Sequence, residues 1–81
     1  MSITTRSQMR AARALLGWSQ VELSTAAGVS LPTIKRLEPG DGALTGSHQT
    51  IDAIRRALEA AGVIFVPENG EGPGVRLRKE R

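Results

Sequence analysis

The side chains best suited to binding chemistry lie together in one short segment, "SLPTIKR", residues 30 to 36. Lys35 and Arg36 are charged, and the apolar Ile34 and Leu37 lie at helical spacing that turns them inward, so the charged side chains remain on the outer face. The outward side chains of this segment have no role in a core. The segment therefore predicts a surface that contacts a polyanion.

Residues for catalysis or metal binding are scarce. The chain has no cysteine and one histidine, His48, and it contains neither a Walker-type glycine-rich loop nor clustered carboxylates. A zinc finger is excluded because there is no thiolate ligand, and no other ligands are spaced around His48 to complete a metal site. We therefore expect no enzyme activity, no metal and no cofactor.

Charge is unevenly distributed along the 81 residues, whose net charge is +3. Residues 1–36 hold five basic and one acidic residue, residues 37–74 two basic and six acidic, and residues 75–81 four basic and one acidic. A basic front and an acidic middle predict one side that faces a polyanion, although such a net charge is also ordinary for a soluble protein. The only aromatic residues are Trp18 and Phe65, which argues against a single-strand reader that stacks bases.

Four helices and a hairpin must position these residues. Capping boxes that begin at Thr5 and Ser19 predict two helix starts, and Pro32 in the first turn suits a third helix, where its missing N–H has no intrahelical partner anyway. Gly28 suits the left-handed end of the second helix. Helices are predicted for residues 5–16, 19–27, 30–37 and 47–61.

The carboxyl-terminal part changes period after Gly62. The segments "VIFVP" and "VRLRK" are β-branched or alternating and flank the turn formers "ENGEGPG", which predicts a β-hairpin. The expected fold is mainly α: four helices in residues 1–62, then a hairpin in residues 63–81. Two strands are marginally stable alone, so the hairpin should pack on the helices or pair with another chain.

Two helices joined by a short turn containing glycine form a helix-turn-helix, whose second helix lies in the DNA major groove. The segment "SQVELSTAAGVSLPTIKRLEPG", residues 19–40, resembles the phage-repressor and Cro-type family, also called the xenobiotic-response-element family of bacterial transcriptional regulators. With the flanking helices the resemblance covers about residues 3–62. It implies a four-helix repressor-like fold in which residues 1–62 are the domain that binds double-stranded DNA, and it does not specify an operator.

The resemblance also implies roles for individual residues. Gln20 would bond a DNA phosphate through its amide. Leu31 and Pro32 occupy positions where phage repressors often carry polar side chains, so hydrogen-bond readout of bases would depend on Arg36. The implied DNA-binding residues are Gln20, Ser30, Leu31, Pro32, Thr33, Lys35, Arg36, Ser47 and His48. In the family, the glutamate of "RLE" pairs with an arginine of the first helix, which implies a structural salt bridge between Glu38 and Arg13.

The hairpin is the expected dimerisation element, since such domains bind two half-sites as dimers. Either strand, residues 63–67 or 75–79, could pair with its symmetry mate, and a hairpin that merely folds back on the fourth helix is the alternative. The predicted interface residues are Val63, Ile64, Phe65, Val66, Val75 and Leu77.

These observations predict a homodimeric, sequence-specific repressor that occupies a palindromic operator. The first ten residues lack the apolar core of a signal peptide and no apolar run reaches 18 residues, so we expect a cytoplasmic protein. One alternative is an antitoxin-like protein that masks a protein partner such as a toxin with its hairpin and regulates its own promoter. Another is an architectural protein that binds any duplex.

Overall fold

The computed structural model describes Ile3 and residues 5–79, and these form four helices followed by a two-stranded hairpin. The helices are α1 (Arg6–Leu16), α2 (Gln20–Ala27), α3 (Leu31–Leu37) and α4 (His48–Ala60), and the strands are β1 (Val63–Val66) and β2 (Gly74–Leu77). The predicted fold class is thereby confirmed. In the described part of the chain, no helix combines the length and apolar character that crossing a membrane requires.

The helix starts follow local capping chemistry. The side chain of Thr5 accepts from the N–H of Gln8 while the Gln8 side chain accepts from the N–H of Thr5, and Ser19 and Glu22 form the same reciprocal pair. Each box satisfies two N–H groups that the first helical turn leaves without partners. Both capping boxes predicted from the sequence are therefore confirmed.

The core lies where α1, α4 and the hairpin meet the α2–α3 pair. Its fully buried large side chains are Phe65, Met9, Leu23, Ile34, Ile54, Leu58 and Val63. They come from all four helices and from β1, so the hairpin shares one hydrophobic core with the helices. This is how an 81-residue chain gathers enough apolar surface to fold without disulfides.

The strands pair antiparallel, with Val63 opposite Leu77 and Phe65 opposite Val75. Gln8, which is 3% exposed, ties α1 to this sheet because its Nε2 donates to the carbonyl oxygen of Gly74 at 3.1 Å. β2 lies against α1 and β1 also contacts α4. The hairpin is thus fixed on the side of the molecule formed by α1 and α4.

Candidate nucleic-acid interface

The turn between α2 and α3 is closed by backbone and side-chain hydrogen bonds. Gly28 ends α2 in the left-handed conformation (φ 67°), and its N–H donates to the carbonyl oxygen of Ser24 at 3.0 Å. The hydroxyl of Ser24 donates to the carbonyl oxygen of Val29 at 2.5 Å. A serine here therefore fixes the turn and is also small enough for the two helices to approach each other.

Helix α3 has one buried face and one exposed face. Ile34 is 0% exposed and Leu37 is 2% exposed, and these two side chains anchor the helix in the core. Pro32, Lys35 and Arg36 are exposed, and the two cations lie three and four positions after the proline, which places them beside it on one side of the helix. The outer face predicted from the sequence is thus open to a ligand.

The other residues predicted to bind DNA at this helix are half-buried or already hydrogen-bonded. Leu31 and Thr33 are half-buried, and the hydroxyl of Ser30 donates to Oγ1 of Thr33 at 2.9 Å while capping the helix. In contrast, within the described residues the side chains of Lys35 and Arg36 make no hydrogen bond or ion pair. The two cations of α3 are therefore available to neutralise an anionic ligand.

Glu38 joins three helices just after α3. Its Oε2 lies 2.8 Å from Nε of Arg13, and its Oε1 accepts from Nη2 of Arg13 at 3.1 Å. Oε1 also accepts from Nε2 of Gln20 at 3.0 Å, so the amide that the resemblance assigns to phosphate binding is held by this carboxylate. An amide nitrogen carries two hydrogens, so Nε2 of Gln20 keeps one donor for a second partner. Glu38 itself is 2% exposed.

Arg6 and Arg10 also reach this end of α3, which sequence reasoning did not foresee. Nη1 of Arg6 donates to the carbonyl oxygen of Leu37 at 2.5 Å, and Nη1 of Arg10 donates to that of Gly40 at 2.8 Å. With Arg13, these arginines follow i, i+4, i+7 spacing, which places them on one side of α1. That spacing predicts a shared basic side of α1 but not the groups that it binds. The basic residues of α1 thus bind the protein itself, whereas Lys35 and Arg36 remain open.

At the start of α4, Ser47 caps the helix by accepting from the N–H of Thr50 at 3.1 Å, and His48 is exposed in the first turn. A helix amino end attracts anions, and both residues lie at that end. Thr45, three residues before His48, accepts a hydrogen bond from Nη2 of Arg6 at 2.9 Å. The loop that leads into α4 is therefore connected to α1.

The acidic residues of α4 are paired within the helix. Arg55 contacts Asp52 at 2.5 Å and Glu59 at 2.6 Å, and Arg56 contacts Asp52 at 2.9 Å. The hydrogen bond from Arg55, with the charges of Arg55 and Arg56, lowers the pKa of Asp52, and the same bond raises the pKa of Arg55. The acidic residues of α4 are thus neutralised by arginines of the same helix.

The hairpin residues predicted to form a dimer interface differ in burial. Val63 is 1% exposed and Phe65 is 0% exposed, so their side chains belong to the core of the chain. The hairpin as a dimer interface stays a prediction, but these two side chains are covered by the protein itself. The cause is the two-residue alternation of a strand, which turns both side chains toward the helices.

The accessible part of the hairpin is β2. Leu77 is 45% exposed and Leu15 on α1 is 43% exposed, and a shallow groove lies between them. Arg78 borders this groove and donates through Nη2 to the carbonyl oxygen of Glu59 at 3.0 Å. The other predicted interface residues, Ile64, Val66 and Val75, are half-buried.

Comparison with known protein families identifies the architecture that carries this surface. A model of the helix-turn-helix family matches residues 9–59. The match extends from α1 to α4 and includes Gly28 and the whole of α3. Among curated proteins, none matches the chain.

Proposed function

The chain is a DNA-binding transcriptional regulator of the phage-repressor and Cro-type helix-turn-helix family, and we propose that it represses transcription by binding one specific DNA sequence. The observation that carries this proposal is the exposed side of α3. Ile34 and Leu37 anchor the helix, and the side chains of Lys35 and Arg36 are exposed. Occupancy of a promoter by this surface would exclude the polymerase.

The residue types divide the contacts into two classes. Arg36 reads a guanine through a bidentate hydrogen bond, and Leu31 and Pro32 contact thymine methyl groups or fill space. Gln20 and Lys35 bind phosphates, which sets the position of the protein without reading sequence. The hydroxyls of Ser30 and Thr33 lie near the same phosphates, and Ser47 and His48 add the amino end of α4.

A homodimer would present two copies of α3 to half-sites about one helical turn, roughly 34 Å, apart. Burial of Val63 and Phe65 leaves β2 as the accessible strand, so we place the twofold contact on its edge and on the groove beside Leu77. Antiparallel pairing centred on Leu77 sets Arg76 of one copy opposite Arg78 of the other. Like charges placed directly opposite each other weaken pairing, so this dimer should be weak in low salt and stronger as salt screens the charges.

The same basic edge favours one alternative, a protein partner that adds an acidic strand. Arg76, Arg78 and Lys79 are exposed along β2 and its end, next to the apolar groove of Leu15 and Leu77. A partner strand with carboxylates opposite the arginines would avoid the repulsion that a second copy meets. An antitoxin-like protein would use this surface to mask its partner.

The repressor proposal is tested by selecting bound fragments from random duplex DNA. One enriched sequence with twofold symmetry is expected, and recovery of random sequence would refute specific binding. On the selected site, Arg36→Ala should reduce the binding free energy by about 1–3 kcal/mol and relax the preference at one base pair. Gln20→Ala should weaken binding to all duplexes alike. The matched control is Arg56→Ala, which removes the same charge from an exposed position on α4 and should change affinity little.

Sedimentation equilibrium at micromolar concentration tests the dimer, with and without operator. A dimer that weakens in Leu77→Glu and strengthens with added salt supports contact through β2. Salt weakens DNA binding, so the opposite sign separates the two equilibria. A protein that stays monomeric even on DNA would contradict the proposed dimer and leave the protein-partner alternative.

A further inference from the structure

The carboxyl end of α3 lacks the glycine closure that ends α1 and α2. The residue after its last turn, Glu38, has right-handed helical angles (φ −77°, ψ −39°), whereas Gly17 and Gly28 end their helices in the left-handed conformation. The last carbonyl groups of a helix need donors from elsewhere when the chain does not turn back to supply them. In this protein the donors come from α1.

Arg6 and Arg10 supply these donors. Nη1 of Arg6 lies 2.5 Å from the carbonyl oxygen of Leu37 and 3.3 Å from that of Arg36, and Nη1 of Arg10 donates to the carbonyl oxygens of Glu38 and Gly40. Positive charge is stabilising at this end of a helix because the unpaired carbonyls carry partial negative charge. Two side chains of α1 thus hold the end of the helix that carries Arg36.

The same part of α1 orders the loop that follows. Nη2 of Arg6 donates to Oγ1 of Thr45 at 2.9 Å, and the backbone N–H of Arg6 donates to the carbonyl oxygen of Gly42 at 3.1 Å. Thr5 forms a β-bridge with Ala43. Residues 39–43 are exposed, so these bonds, with that of Arg10 to Gly40, connect the loop to the rest of the molecule.

We propose that Arg6 and Arg10 are positioning residues for operator recognition. They set the angle of α3 and the path of residues 38–45 while leaving the DNA to Arg36 and the phosphate-binding residues. Sequence preference should therefore depend on the hydrogen bonds that these guanidinium groups make to α3 and its loop more than on their charge, since a bidentate contact to a base tolerates little displacement of its helix. The inference rests on the proposed sequence-specific binding.

The variants Arg6→Lys and Arg10→Lys test this inference because lysine keeps the charge and loses the planar fork. The ratio of affinities for the selected operator and for random duplex should fall roughly three- to tenfold, the effect of about one net hydrogen bond. Affinity for random duplex and the slope of its salt dependence should not change. Arg56→Lys, at an exposed position of α4, is the matched control and should leave the ratio unchanged.

A second measurement needs no DNA. Amide hydrogen exchange of residues 38–45 should accelerate in both lysine variants while the amides of α4 keep their protection. Arg6→Gln and Arg10→Gln should lower the ratio of operator affinity to random-duplex affinity by the same factor. If glutamine lowers the affinity for operator and random duplex equally, and lysine restores both, the arginines are phosphate contacts and the inference is wrong.

The remaining outcomes separate this inference from the proposed function. A wild-type protein that prefers its operator, with lysine and glutamine variants that keep the full preference, overturns the positioning role alone. A wild-type protein with no preference among duplexes overturns the proposed function and the positioning role together.

Discussion

Replacing Glu38 with alanine should destabilise the whole domain. The carboxylate accepts two hydrogen bonds from Arg13 and one from Gln20, and the residue is 2% exposed. Alanine leaves three donors without their acceptor and leaves the guanidinium of Arg13 without a counterion. Loss of one partner of a buried ion pair is costly because the remaining charge stays in a poorly solvated position.

The magnitude follows from the burial of both partners. Removing one partner of a fully buried pair costs about 3–5 kcal/mol. The Arg13 side chain is 24% exposed and its Nη1 keeps a 2.8 Å hydrogen bond to the carbonyl oxygen of Trp18, so the lower end, about 3 kcal/mol, applies. For 81 residues a total stability of about 4–12 kcal/mol is expected, so much of it would be lost. The melting temperature should fall by about 12–24 °C, at roughly 4–8 °C per kcal/mol.

Circular dichroism melting of Glu38→Ala measures this change directly. Glu71→Ala, an exposed carboxylate in the hairpin turn, is the matched control and should stay within about 0.5 kcal/mol of the wild type. A double-mutant cycle with Arg13→Ala should show that the two losses are not additive. An unchanged melting temperature in Glu38→Ala would refute the reasoning, because it would mean that this network contributes nothing to stability.

Three further predictions concern the hairpin, the turn and α4. Phe65→Ala should lower the free energy of unfolding in urea by about 3–5 kcal/mol, whereas Leu77→Ala on the exposed side should lower it far less. Equal losses would contradict the burial of Phe65. Gly28→Ala should lower the free energy of unfolding, measured by thermal melting, by about 1–2 kcal/mol, because alanine would have to adopt φ 67° although its Cβ meets no neighbour. Gly28→Asn should lower it less, and an alanine variant as stable as the wild type would argue against the left-handed turn. The pKa of Asp52, followed by NMR titration, should be below its ordinary value and rise in Arg55→Gln. Since folding lowers this pKa, the contribution of Asp52 to stability is present above the unfolded-state pKa and is lost as pH falls through the folded-state value. An Asp52 titration that Arg55→Gln leaves unchanged would refute the assignment of Arg55 as the cause.

The helix starts and the exposed side of α3 were predictable because their signals are local. The capping boxes at Thr5 and Ser19 involve residues three positions apart, and Ile34 and Leu37 mark the inner side of α3 by their spacing. Such signals act within one or two helical turns, where residue order alone sets distance. The pair of Arg13 and Glu38 lies 25 positions apart, and the expectation for it came from family resemblance.

The roles of Arg6 and Arg10 were not predictable in the same way. Their partners are carbonyl oxygens of residues 36–40, and every residue carries such a group, so no residue type identifies the acceptor. Their charge suggested a surface that faces DNA. Only the packing of α1 against the end of α3 shows that these two arginines bind the protein.

The sequence by itself determined four capped helices, a short turn at Gly28 and a hairpin after Gly62, because each depends on neighbouring residues. It also determined that α3 carries Arg36 on its outer side. Tertiary structure alone decided that β1 belongs to the core and that β2 stays accessible, since alternation defines two sides of a strand but not which one the helices cover. That choice depends on the apolar surface that distant parts of the chain bring together.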